Sequence, residues 1–192
     1  MYYIYFTEKL LKKMNKLETL GTRICIIGNS AAGKSTLAQH LANHLNLTVC
    51  HLDQIAHIPN TNWEPRDREL LRMDHQVFLA QHQRWVMEGN YSFLMPERFQ
   101  QATTIIWLDF SRWGSAYRFI KRSIQNNENR AGNLEGARQQ FNFKMLKHIL
   151  FTVPKNKVKY QQLIEASGVP CIRIQSFKAL LEFYKKMELY TN

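Results

Sequence analysis

A short aliphatic run that breaks on a glycine and restarts at once as a helix constrains this chain more than any other feature. Arg23-Ile24-Cys25-Ile26-Ile27 is apolar and rich in β-branched residues, which predicts a buried strand. It leads directly into Gly28-Asn29-Ser30-Ala31-Ala32-Gly33-Lys34-Ser35, an instance of G-x-x-x-x-G-K-[ST]. Leu37, Leu41 and Leu45 then recur every four residues beside Ala38 and Ala42, so a helix with one apolar stripe should run from Lys34 to about Asn46. A strand, a glycine turn and a helix N-terminus in that order aim several backbone N–H groups at one point and add the positive end of the helix dipole, which makes an anion site. Gly28 lets the chain turn off the strand, and Gly33 lets the backbone lie close to the anion. Residues 28–35 are therefore expected to bind ATP. Lys34 should reach the β and γ phosphates as a point charge, the Ser35 hydroxyl should ligate Mg²⁺, and Thr36 should lie near the α phosphate.

The remaining chain continues the alternation. Strands are predicted near Thr48–Leu52, Trp85–Glu88, Thr104–Asp109 and Cys171–Ile174. Helices are predicted near Arg66–Gln83, Trp113–Asn126, Ala137–Thr152, Lys155–Ser167 and Phe177–Leu189, with Pro154 dividing the third from the fourth. Short strands alternating with longer helices imply an α/β fold, a parallel sheet covered on both faces. Residues 1–22 precede the first strand and read as an N-terminal extension, with Leu10, Leu11, Met14 and Leu17 at helical spacing; residues 23–192 form the domain.

Composition narrows the partners. A 192-residue chain that is 45% hydrophobic can close one core unaided. Its mean hydropathy of -0.39, and the lack of any apolar run near the roughly 20 residues that span a bilayer, argue against a membrane protein. Met1 to Phe6 is apolar but lacks a basic leader and a small-residue cleavage site, so a cytoplasmic location is expected. Cys25, Cys50 and Cys171 are odd in number and lie inside predicted strands, where they read as core residues. The formal charge of +11 favours anions in general, whether nucleotides, phosphorylated metabolites or nucleic acid.

Open parallel sheets bind ligands at the carboxyl ends of their strands, so the polar residues that close each run are candidates. Asp109 ends the Thr104 strand, as a magnesium-holding aspartate would. Asp53 follows His51-Leu52 and could take the proton of an attacking hydroxyl or help position the metal. Glu88, Asn90 and Tyr91 should emerge on the same rim and line an acceptor pocket.

These residues, taken together, resemble the DNA topology modulation proteins, a group of adenylate-kinase-like P-loop proteins related more distantly to adenylate, shikimate and gluconate kinases. The resemblance spans about Arg23 to Tyr184. It rests on the phosphate loop, His51-Leu52-Asp53, Trp63-Glu64-Pro65-Arg66, Glu88-Gly89-Asn90-Tyr91, Leu108-Asp109-Phe110-Ser111-Arg112, and the Phe143–Lys157 segment with Pro154-Lys155-Asn156. Two positions depart from the group: Ala31-Ala32 replaces more glycine-rich loops, and Glu88 stands where aspartate is common. The resemblance implies a P-loop NTPase fold with strand order 2-3-1-4-5 and a small lid at about residues 123–140, the polar Asn126–Gly136 stretch with Arg130 forming its body. It further implies that Arg118 lies against adenine, that Arg122 reaches the phosphates as a catalytic group beside Lys34 and Asp53, that Arg98 stands on the acceptor side, and that Gln175–Lys178 borders the adenine ring. The expected activity is phosphoryl transfer from MgATP to a small-molecule acceptor held by Asp53, Glu88, Asn90 and Arg98. The alternative is an ATP-binding regulator associated with nucleic acid, for which the chain carries no helix-turn-helix, zinc or RNA-binding signature.

Overall fold

The computed structural model describes residues 17–125, 131–135 and 143–189. Among these, five strands form one parallel sheet in the order β2-β3-β1-β4-β5, the order implied by the resemblance. In chain order the elements are β1 (Arg23–Gly28), α1 (Lys34–Leu45), β2 (Thr48–His51), α2 (Leu52–Ile55), α3 (Arg68–Gln81), β3 (Trp85–Glu88), α4 (Met95–Gln101), β4 (Thr104–Leu108), α5 (Arg112–Gln125), α6 (Phe143–Lys147), α7 (Val153–Ser167), β5 (Cys171–Ile174) and α8 (Phe177–Lys186). No helix among the described residues is long and apolar enough to cross a membrane.

The period-two pattern of the strands builds a core on each face of the sheet. Ile24, Ile26, Val86, Ile106 and Leu108 point to one side, where Leu37 and Leu41 of α1 and Leu180 and Phe183 of α8 cover them. Cys25, Ile27, Trp85, Met87, Ile105 and Trp107 point to the other side, against Leu79 of α3, Phe99 of α4 and Ile164 of α7. Burial of each such leucine or isoleucine stabilises the fold by roughly 1.5–3 kcal/mol, and the two-sided arrangement explains why β1, β3 and β4 read as unbroken apolar runs. The three thiols are free, and burial pushes each up to about 12, which keeps them protonated.

Several boundaries shift for local reasons. α3 starts at Arg68 because Asp67 caps it, its carboxylate accepting the Glu69 and Leu70 N–H groups. α8 starts at Phe177 as expected, behind Ser176, whose hydroxyl accepts the Ala179 N–H, and ends at Lys186, three residues short of Leu189. β4 ends at Leu108, one residue before Asp109. The expected break at Pro154 is absent: α6 continues through a π-helical segment at His148–Thr152 directly into α7, whose second residue is Pro154. α4 has no counterpart in the sequence reading. Its seven residues are too few for a clear period, although Pro96 in the first turn is a helix-start signal.

Residues 1–16 lie outside the described residues. Leu17–Leu20, read from the sequence as part of the extension, is a 3-10 turn whose Leu20 is fully buried and whose Leu20 carbonyl accepts the Thr103 and Thr104 hydroxyls. That turn belongs to the fold because it closes the core below β1 and β4.

Candidate functional site

The loop between β1 and α1 has the backbone its sequence demands. Gly28 has φ 142°, and a Cβ there would run into the Leu108 carbonyl of the neighbouring strand. Gly33 has φ 95°, and a Cβ there would meet only Arg118 Nη2 and Leu180 Cδ2 at an ordinary 3.7 Å, so its glycine is required by conformation rather than by crowding. Ala31 also lies in the left-handed region, at φ 60°, where a glycine would carry less strain. Three side chains brace the loop. The Asn90 amide accepts the Gly28 N–H at 3.0 Å and donates to the Gly28 carbonyl at 2.6 Å, clipping the end of β3 to the end of β1. Asn29 is buried and donates to the Phe110 carbonyl and the Ser115 hydroxyl. Arg118 donates through Nε to the Ala31 carbonyl at 3.0 Å. The amide of Asn90, expected to face an acceptor, is thus occupied by Gly28 at the start of the loop.

Lys34 opens α1 and folds its ammonium over the loop, donating to the Asn29 carbonyl at 3.1 Å. Ser35, next along, donates to Glu88 Oε1 at 2.9 Å. His51 donates through Nδ1 to the same oxygen, also at 2.9 Å, because β2 and β3 pair in a register that sets His51 beside Glu88. Glu88 is 1% exposed, and its Oε2 has no hydrogen-bond partner. Burial pushes its carboxyl up, but the His51 hydrogen bond, the Lys34 charge and the Ser35 hydroxyl outweigh this and hold it below the usual carboxylate range. The result is an ionised, buried carboxylate beside the loop serine, with one oxygen unused. Oxygen donors of that kind suit a hard divalent cation such as Mg²⁺.

Asp109, expected to serve that purpose, faces the other way. β4 and β5 pair so that Trp107 sits beside Arg173. The Arg173 guanidinium lies over the Trp107 ring at 4.4 Å and grips Asp109 Oδ2 through Nε and Nη2. Lys157 of α7 adds a contact to the same oxygen at 2.9 Å. Two cations therefore neutralise Asp109 within the β4–β5 corner, and Glu88 is the carboxylate bonded to Ser35. Sequence alone could not choose between them, because both end apolar strands and only the strand order puts β3 between β1 and β2.

Arg98 is likewise displaced from the rim. It is 0% exposed and donates through Nη2 to the Gly89 carbonyl at 2.6 Å, while its Nε and Nη1 have no hydrogen-bond partner among the described residues. It lies on α4 and is turned into the core, where the resemblance implied a place on the acceptor side.

Asp53 lies in the first turn of α2, at the carboxyl end of β2, half-buried, and accepts the Tyr91 hydroxyl at 2.8 Å. Burial, then the Asp53 charge and hydrogen bond, pushes the Tyr91 hydroxyl far above its ordinary value, so it remains a donor. On the far side of the loop the Arg118 guanidinium lies 4.1 Å from the centre of the Phe177 ring, within the Gln175–Lys178 segment. Thr36 is exposed on α1. Arg122 occupies α5 one turn after Arg118, and its side chain lies outside what is described; of the lid at 123–140, only residues 123–125 and 131–135 are described.

No family model matches this sequence, and no curated protein is similar to it in sequence. Solved structures are similar to it in fold. A gluconokinase from Sinorhizobium meliloti is 14% identical with a TM-score of 0.53, over 88% of this chain and 90% of that one. A shikimate kinase from Acinetobacter baumannii, in complex with shikimate, is 13% identical with a TM-score of 0.53, over 95% and 96%. The five-stranded parallel sheet of order 2-3-1-4-5, flanked by helices, matches the fold of these P-loop kinases.

Proposed function

We propose that the protein transfers the γ-phosphoryl group of MgATP to a small-molecule acceptor. The observation that carries this reading is the buried, ionised Glu88 with a free oxygen beside Ser35 and Lys34, an arrangement that a bare anion-binding loop does not need. Residues 28–36 surround the triphosphate, with the N–H groups that open α1 directed at it, and the Arg118 guanidinium and Phe177 ring supply flat surfaces for the base. Ser35 and Glu88 hold the magnesium; when bound, the metal supplies positive charge to the phosphate oxygens. Lys34 stabilises the charge that builds on the transferred group, with Arg122 as the second cation that the family resemblance implies. Asp53 receives the proton of the acceptor hydroxyl.

The fold of the gluconokinase and the shikimate kinase supports a small-molecule acceptor in general terms. Calorimetric titration of the protein with a nonhydrolysable ATP analogue tests the reading. Saturable binding is expected with magnesium and at least about tenfold weaker binding without it; no heat at millimolar nucleotide sinks it.

The resemblance to DNA topology modulation proteins and the charge of +11 favour a second reading, an ATP-binding regulator that associates with nucleic acid. Duplex DNA titrated over a salt series separates the two. Phosphate neutralisation by many lysines and arginines gives an affinity that falls steeply with salt, and a metabolite kinase shows no such binding.

A further inference from the structure

Residues 131–135 lie across the metal end of the site. Gly132 is buried at φ 72°, and a Cβ there would stand 2.8 Å from Ser35 Oγ and 3.1 Å from His51 Nδ1. Its backbone therefore rests on the hydroxyl and the imidazole that both bond to Glu88 Oε1. The residues that follow are tied to the opposite rim. The Asn133 carbonyl accepts the Gln54 side-chain amide at 2.9 Å, the Glu135 carbonyl accepts the Asn60 N–H at 2.8 Å, and Leu134 between them is 2% exposed. Gln54 follows Asp53 in α2, so the segment spans from the serine of the phosphate loop to the neighbour of the proposed proton acceptor.

These contacts engage atoms that the chemistry also needs. A six-coordinate magnesium on a serine hydroxyl carries further oxygen ligands at about 2.1 Å from the metal, several of them waters. On Ser35 that shell and the Gly132 backbone compete for the space over one hydroxyl. The hold on the segment is light: one hydrogen bond from the exposed Gln54, one from a backbone N–H, and one buried leucine. An element fastened by so few contacts opens locally while the sheet stays folded.

We propose that residues 131–135 are an intrasteric strap: docked, they exclude magnesium from Ser35, and MgATP binds as they lift. This rests on the phosphotransferase reading above, through its assignment of Ser35 to the metal. The observed affinity for MgATP is then the intrinsic affinity reduced by the fraction of molecules whose strap is raised. Glycine at 132 is what lets the strap dock, because a side chain there meets both a left-handed φ and the Ser35 hydroxyl.

Gly132→Ala tests it, by calorimetry with a nonhydrolysable ATP analogue. With magnesium the variant should bind about tenfold more tightly than wild type, and without magnesium the change should stay below about twofold. Gln54→Ala, which removes one exposed hydrogen bond from the strap, should tighten magnesium-dependent binding about threefold. Hydrogen exchange gives a readout apart from affinity: in wild type the amides of residues 131–135 should exchange at least about tenfold faster once the magnesium analogue is bound. Weaker or unchanged binding by both variants, equal tightening with and without magnesium, or strap amides that are unchanged or better protected on binding overturn the proposal and leave the phosphotransferase reading standing. If neither wild type nor Gly132→Ala binds the analogue with magnesium, that reading falls as well.

Discussion

Lys34→Ala is expected to abolish the proposed MgATP-dependent phosphoryl transfer, lowering kcat/KM by about a thousandfold or more, while the protein stays folded. The ammonium is the cation that the phosphate loop itself contributes, and it lies over the loop with a single bond to the Asn29 carbonyl. A positioned donor or charge that meets the transition state in a site with little water commonly contributes about 10²–10³ in rate, and a full positive charge against a dianionic phosphoryl group belongs at the upper end. Stability should change little. The side chain is only partly buried, its one hydrogen bond is worth about 1 kcal/mol, and alanine is a better helix former than lysine at the start of α1. Steady-state kinetics with thermal unfolding of both proteins check the result; full turnover in the folded variant removes the proposed mechanism.

Glu88→Gln separates charge from shape. The substitution keeps the volume and one acceptor oxygen for Ser35 and His51 but removes the anion that a magnesium ion needs. Turnover should fall by about 100-fold, and the magnesium concentration for half-maximal rate should rise by about 10- to 100-fold, the scale seen when groups in the immediate metal environment are changed. Asp109→Asn, which disturbs only the corner held by Arg173 and Lys157, should leave the magnesium requirement unchanged. Acid supplies a second readout. The carboxyl of Glu88 is held below its ordinary value of 4.5 in the folded protein, so its contribution to stability is complete above that value and is lost as pH falls through the folded pKa. The stability difference between wild type and Glu88→Gln should therefore be constant near neutral pH and shrink only below about pH 4.5. A difference that already shrinks between pH 8 and 6 contradicts this.

The carboxylates at the strand ends separate what one dimension reveals from what three dimensions add. Both Glu88 and Asp109 close apolar strands, and the sequence reading gives Asp109 to magnesium and Glu88 to the acceptor pocket. The deciding facts lie between strands. β3 sits beside both β1 and β2, so Glu88 comes to Ser35, and β4 sits beside β5, so Asp109 comes to Arg173. Asn90 follows the same logic. Its place on the rim was legible, but its grip on Gly28 depends on β3 lying next to β1.

What the sequence determined by itself is local. The strand before Gly28, the helix after Lys34 and the α/β alternation follow from hydrophobic period and from the few conformations that glycine and proline favour, all within a dozen residues. The tertiary structure decided which charges meet. Ionic and hydrogen-bond contacts such as Ser35 to Glu88 or Asp53 to Tyr91 join residues 53 and 38 positions apart, and their strength falls off within a few ångströms. Only the packing of the sheet brings such residues within that range. Arg98 obeys the same rule from the other side: its charge was visible in the chain, and its burial was set by α4 turning it beneath Gly89.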